Sequence, residues 1–100
     1  MGKLVRDLIP DLIERSGRTP QVRLLGEAEY VDALHRKLLE EAEELCAADP
    51  GSRLEEAADV YEVLLAIART LNVDMATIAA TADAKRAARG GFERRIWLET

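Results

Sequence analysis

Aromatic side chains are scarce in this chain: one Trp, one Phe and two Tyr among 100 residues that are 48% hydrophobic. A core built under that limit consists of Leu, Ile, Val and Ala, a palette suited to helices. Cysteine is absent but for Cys46, so no intramolecular disulfide forms and nothing signals an oxidising compartment. Cys46 itself is expected to pack as a small apolar residue. No apolar run approaches the roughly 18–20 residues that span a bilayer. The opening Met1-Gly2-Lys3-Leu4-Val5-Arg6-Asp7 breaks its few apolar residues with charge, unlike a signal peptide. Positive charge is also short: 14 Lys and Arg face 19 Asp and Glu, a net −5. That balance argues against a general nucleic-acid binder. The expectation is one domain over residues 1–100, soluble and cytoplasmic, with no membrane and no nucleic-acid partner.

What is present is helical periodicity, punctuated by turn residues. Asp7 is the expected N-cap of a first helix, with Pro10 in its opening turn, Leu8, Ile9, Leu12 and Ile13 on one stripe, and Gly17 as its stop. Val22 to Leu25, between Pro20 and Gly26, is expected to be extended. From Glu27 to Ala47, Val31, Leu34, Leu38, Ala42 and Leu45 recur at three- and four-residue steps, which predicts a long amphipathic helix. Pro50-Gly51-Ser52 marks a turn, and Ser52 with Glu55 matches a capping box. Leu54 to Leu71 predicts a second long helix, apolar around most of its circumference. Such a helix belongs at the centre of a fold, and a chain this short lacks the helices to cover it. Asp74 is the expected N-cap of a last helix to Arg89, stopped by Gly90-Gly91. Phe92 to Leu98 follows, mixing basic with apolar residues. The prediction is an all-α antiparallel bundle of about four helices, completed by oligomerisation.

Two acidic clusters stand out: Glu40, Glu41, Glu43 and Glu44 on the first long helix, and Glu55, Glu56 and Asp59 on the second. At about 100° per residue, Glu43 falls opposite the apolar stripe and is solvated. Glu41 falls on the stripe's margin with Glu44 one step beyond, and Glu40 lies further out. Glu55 goes to the capping box. Glu56 falls among Val60, Val63 and Ile67, where a carboxylate is costly unless paired or bound to a metal. Asp59 falls at the edge of the polar strip. Antiparallel packing lets Glu41, Glu44, Glu56 and Asp59 face one another. At about 5 Å and an effective dielectric near 20, each pair of charges costs on the order of 3 kcal/mol, a sign that a divalent cation reverses. Oxygen-only donors select Mg²⁺, with Mn²⁺ as an alternative, over zinc. The bland alternative is a pair of solvated Glu-rich helix faces. Several other sites are disfavoured. A di-iron bundle needs two Glu-x-x-His elements, whereas the chain has one His, His35, and that is expected to be an ordinary surface residue. Lys85, Arg86 and Arg89 either complement the helix dipole or hold a phosphate tail. Lys37, one turn before Glu41, is placed to bridge to it.

Glu40-Glu41-Ala42-Glu43-Glu44 followed by Glu56-Ala57-Ala58-Asp59 resembles the EExxE…ExxD signature of the MazG-like nucleotide pyrophosphohydrolases, in the all-α NTP pyrophosphatase superfamily. Lys3 to Pro10 and Arg89 to Ile96 look like the terminal segments of a small single-domain branch, so the resemblance runs nearly the whole chain. It implies a Mg²⁺-dependent hydrolase that cleaves a nucleoside triphosphate between its α and β phosphates, releasing monophosphate and pyrophosphate, in a house-cleaning role on non-canonical or surplus (d)NTPs. Carried over, Glu41, Glu44, Glu56 and Asp59 are metal ligands. Glu40 binds a second ion or orients water, and the nucleophile is water activated at the ion. Lys85 and Arg89, then Arg6 and Lys3, are the cations expected on the phosphates, and the assembly is expected to be a homodimer or homotetramer. Eleven residues separate Glu44 from Glu56, too few to build a base pocket, so base recognition falls to the N-terminal segment, the tail or a second subunit. The alternatives are a phosphoribosyl-ATP or deoxyuridine nucleotide hydrolase of the same fold, and a non-catalytic helical oligomer that binds a nucleotide or protein.

Overall fold

A computed structural model describes residues 2–100, and within them every regular element is helical: α1 (Ile9–Arg15), α2 (Glu27–Ala47), a 3-10 turn (Pro50–Ser52), α3 (Arg53–Thr70) and α4 (Met75–Arg89). The chain is all-α at this level. Its helix ends explain the boundaries. Leu8, not Asp7, is the N-cap of α1, and no side chain caps it. The turn closes through the backbone instead, with Ile9 N–H donating to the Arg6 carbonyl at 3.1 Å. Gly17 ends α1 at φ 92°, a left-handed conformation that costs glycine little. Residues 18–25 form no regular element. Gly26 caps α2, and its N–H donates to Glu29 Oε1 at 3.4 Å while Arg23 holds the same carboxylate at 3.0 Å.

The capping box expected of Ser52 and Glu55 does not form. Ser52 already lies in the helical region at φ −104° and ψ −7°, and its N–H donates to the Asp49 carbonyl at 2.9 Å. A capping side chain needs an extended backbone to aim back at the first turn, and the 3-10 turn removes it. Asp74 meets its expectation: extended backbone, and Oδ1 accepting from both the N–H and the hydroxyl of Thr77 at 2.9 Å.

The packing centre is the hairpin of α2 and α3. Leu34 from α2 and Val63 and Ala68 from α3 are buried, flanked by half-buried Val31, Leu38, Leu45, Val60, Leu64 and Ile67. Burying a Leu or Val contributes about 1.5–3 kcal/mol, so this is a thin core. Among the described residues α4 touches α3 alone, and no helix but α3 packs on α2. The α3 and α4 axes are bent by 103°. One chain therefore closes no four-helix bundle. Its radius of gyration is 17.3 Å and its extents are 53 × 34 × 25 Å. No single described helix is long and apolar enough to cross a membrane.

Candidate metal centre

The site arises where two helical stripes meet. On α2, Tyr30, Leu34, Lys37 and Glu41 recur at steps of three and four; on α3, Glu56, Asp59, Val63 and Ala66 do the same. Packing the hairpin brings Glu41, Glu56 and Asp59 together, with one carboxylate oxygen from each within 4.8 Å of the others. Glu41 is 7% exposed, while Glu56 and Asp59 are half-buried. The sequence places Glu41 at a margin and Glu56 inside the apolar arc. The fold buries Glu41 the deeper of the two, because α3 lies across the margin of the α2 stripe.

Two cations partner part of this cluster. Lys37 Nζ lies 3.3 Å from Glu41 Oε1, the bridge that its spacing suggested, and Arg6 Nη2 donates to Asp59 Oδ1 at 2.7 Å. Two further oxygens are not served: Glu41 Oε2 and Glu56 Oε2 are buried without a hydrogen-bond partner among the described residues. An orphaned buried acceptor carries its full desolvation cost. An all-oxygen donor set suits a hard cation, and Mg²⁺ at about 2.0–2.1 Å from its ligands spaces them about 3–4 Å apart. The donor chemistry suits such an ion, and the three carboxylate oxygens, within 4.8 Å of one another, would have to draw closer to ligate it.

The other expected site residues spread out. Glu44 lies beside the triad, exposed. Its carboxyl is pushed above the usual value of 4.5, first by the hydrogen-bonding approach of the Glu41 carboxyl and by its charge, then by partial desolvation and the Glu56 charge, with Lys37 opposing. A raised native value means stability that is fully present below 4.5 and lost as pH rises through the native value. The metal-free protein should therefore gain stability as pH falls from neutrality toward that window, and Glu44→Gln should flatten the trend, as followed by denaturant midpoints at each pH. Glu40 is exposed on the outer side of α2. Lys3 and Arg6 lie on the segment that precedes α1. Lys85 and Arg89 lie near the end of α4, which does not touch α2; rise and bend place Lys85 on the order of 20 Å from Asp59 of its own chain. Cys46 is exposed, not packed. His35 is an ordinary surface residue, its Nδ1 2.8 Å from the Val31 carbonyl.

A cleft of about 460 Å³ opens beside the triad, roofed by Leu4 to Ile9 and walled by Tyr30, Leu34, Val63, Ala66 and Arg69, with Lys37, Glu41, Asp59 and Glu62 at its polar side. That volume is within the roughly 300–1,000 Å³ of small-molecule sites. Tyr30, Glu62 and Arg69 are lining residues that sequence reasoning did not assign to the site. The signal for Tyr30 was its place on the Leu34–Lys37–Glu41 stripe. The roof lies on the N-terminal segment, one of the three places the sequence leaves for base recognition.

Arg6 sits where a cation would compete for Asp59. Their side chains are 56% and 39% exposed, so the pair is worth about 0–1 kcal/mol after solvent screening. Arg6→Gln is expected to tighten Mg²⁺ binding by up to about fivefold, the equivalent of that energy. Titration calorimetry reads this directly, and weaker binding in the variant would show that Arg6 assists the ion.

No protein-family model matches the chain, and no solved structure matches it. An uncharacterized protein of Mycolicibacterium smegmatis is 59% identical over 49 residues, which is 49% of this chain and 50% of that protein. The chain thus spans about half the length of the curated relative it matches.

Proposed function

We propose that this chain is a Mg²⁺-dependent nucleoside triphosphate pyrophosphohydrolase, with Mn²⁺ as a substitute ion, acting on non-canonical or surplus (d)NTPs in a house-cleaning role. The observation that carries the reading is the meeting of Glu41, Glu56 and Asp59 from two helices, with two of their buried oxygens left without partners. The MazG-like signature in the same residues supports it. Glu41, Glu56 and Asp59 hold the ion. When bound, Mg²⁺ supplies neutralisation of phosphate charge and a lowered pKa for a nearby water. Glu44, the fourth carboxylate, lies beside Glu41 and Glu56 and would be the group placed to accept a proton from an attacking water. Glu40 stays outside this group as an orienting residue at most. The cleft offers apolar walls and Tyr30 for a base, with the carboxylates at its polar side for the phosphates. Arg6 and Lys37 are the cations paired with those carboxylates, and Lys3 lies on the same N-terminal segment as Arg6. Lys85 and Arg89 reach a phosphate tail only from a second copy, within a homodimer or homotetramer whose helices complete the antiparallel bundle.

A second reading rests on the Lys37–Glu41 and Arg6–Asp59 pairs, which already place two cations on the cluster: a helical module that binds without catalysis. The test is pyrophosphate release from a panel of canonical and modified (d)NTPs, phosphoribosyl-ATP included, with Mg²⁺ and with EDTA. Release that needs the metal is expected, and the panel ranks bases and sugars. Silence across the whole panel with both Mg²⁺ and Mn²⁺ would leave the binding module standing.

A further inference from the structure

The chain exposes far more surface than a folded monomer of its size. Its accessible area is 8927 Å², against about 5,700 Å² expected for 11.1 kDa. Its radius of gyration is 17.3 Å, against about 13 Å expected for 100 residues. The excess of about 3,000 Å² per chain exceeds the roughly 800 Å² that each partner gives a standard interface, and matches a large obligate one.

Part of the excess lies at the C-terminal end. Every residue from Ala79 to Thr100 is exposed, including Phe92 at 96%, Trp97 at 83% and Leu98 at 82%. These include the only Phe and the only Trp of an aromatic-poor chain. Among the described residues the helix that leads to them meets its own hairpin only at α3. The 103° bend after Thr70 sends α4 away from α2, and that bend is held by Asn72 in the left-handed region at φ 59° and by the Asp74 cap. Its charge is opposite to the rest. Residues 75–100 carry five cations against three carboxylates, a net +2, while residues 1–74 carry nine against sixteen, a net −7. On the outer face of α2 lies a shallow apolar groove of about 430 Å³, formed by Leu39, Ala42, Cys46 and Ala47 and edged by Glu43. No described helix of the same chain covers that face.

We infer that residues 75–100 are an exchanged arm: in a symmetric pair of identical chains, each arm lies on the α2–α3 hairpin of the other copy, with Phe92 and Trp97 at the Leu39–Ala42–Cys46 groove. One chain carries both halves of the contact, a basic apolar arm and an acidic apolar groove, as a self-complementary two-fold interface requires. A second copy is therefore the occupant, rather than an unrelated partner. This inference does not depend on the hydrolase reading.

Cys46, the chain's one cysteine, lies in the groove and serves as the probe. A chain bearing Trp97→Cys and Cys46→Ser cannot form an intrachain disulfide. Co-expressed with wild-type chain of different tag mass and mildly oxidised, it is expected to give a covalent heterodimer on non-reducing gels. Leu24→Cys with Cys46→Ser, equally exposed but off the arm, is expected to give none. In full-length protein, Phe92→Ser with Trp97→Ser is expected to shift the sedimenting species from dimer or higher to monomer, with helical circular dichroism checking the fold. Wild type that sediments as a monomer at about 100 μM would overturn the inference. A dimer in which the thiol introduced by Trp97→Cys forms no link to Cys46 of the other chain would overturn it as well, whether or not the double serine variant folds.

Discussion

Replacing Glu56 with Gln is expected to lower Mg²⁺-dependent pyrophosphate release by roughly 10³-fold or more, while raising the thermal midpoint of the metal-free protein. The two effects have one cause. Glu56 holds a half-buried carboxylate within 4.8 Å of Glu41 and Asp59, with one oxygen buried and unpartnered. Without a cation, that charge is repelled by its neighbours and lacks solvation. An isosteric amide removes the repulsion and can donate to Glu41. With a cation, the same charge is what holds the ion, and an ion stabilises developing phosphoryl charge by several kcal/mol. At 1.36 kcal/mol per decade, that is the expected loss. A residue with a purely structural role would lose stability and activity together, so opposite movements separate the cases. Turnover is measured at saturating Mg²⁺ and the thermal midpoint in EDTA. Unchanged turnover in the variant would remove Glu56 from the reaction.

Mg²⁺ alone, with no nucleotide, is expected to stabilise the wild-type protein strongly. At a concentration about a hundredfold above its dissociation constant, a ligand that binds only the native state adds about 2.7 kcal/mol. For a domain of this size that is a rise of roughly 10–20 °C in thermal midpoint. The shift is large because the ion offsets a cost built into the apo fold: three carboxylates drawn together, two of them with orphaned buried oxygens. EDTA should reverse it, Mn²⁺ should reproduce it, and Glu41→Gln should abolish it. Protein concentration must be held constant, because assembly also moves the midpoint. Differential scanning fluorimetry across a metal series is sufficient. A flat response to both ions would mean that Lys37 and Arg6 are the only counter-charges the cluster takes.

The helices were legible because their signals are local. The Val31–Leu45 stripe, the Pro50-Gly51-Ser52 turn and the Asp74 cap each depend on residues within a turn or two, and each is where the periodicity placed it. The misread ends were also local: Asp7 and the Ser52–Glu55 box offered capping chemistry, but backbone turns closed first. Spacing also pointed to Glu41, Glu44, Glu56 and Asp59, since two periodic stripes joined by a short turn have few ways to face each other; the fold clusters Glu41, Glu56 and Asp59 and leaves Glu44 exposed beside them.

Depth, the distant partner and reach were not legible. Which of Glu41 and Glu56 lies deeper depends on how α3 crosses the α2 stripe, a matter of side-chain packing between helices. Arg6 meeting Asp59 spans 53 positions, and no periodicity carries information that far. The exclusion of Lys85 and Arg89 from their own chain's carboxylates follows from one bend between α3 and α4. An all-helical chain and a shared acidic face on two adjacent helices are already written in the order of the residues, because hydrogen bonding and amphipathic period act over a few positions. Three things are not: which carboxylate oxygens are stranded, that Arg6 answers Asp59, and that the arm of residues 75–100 turns away from α2. Those follow from the angles at which finished helices meet, and packing in three dimensions sets those angles.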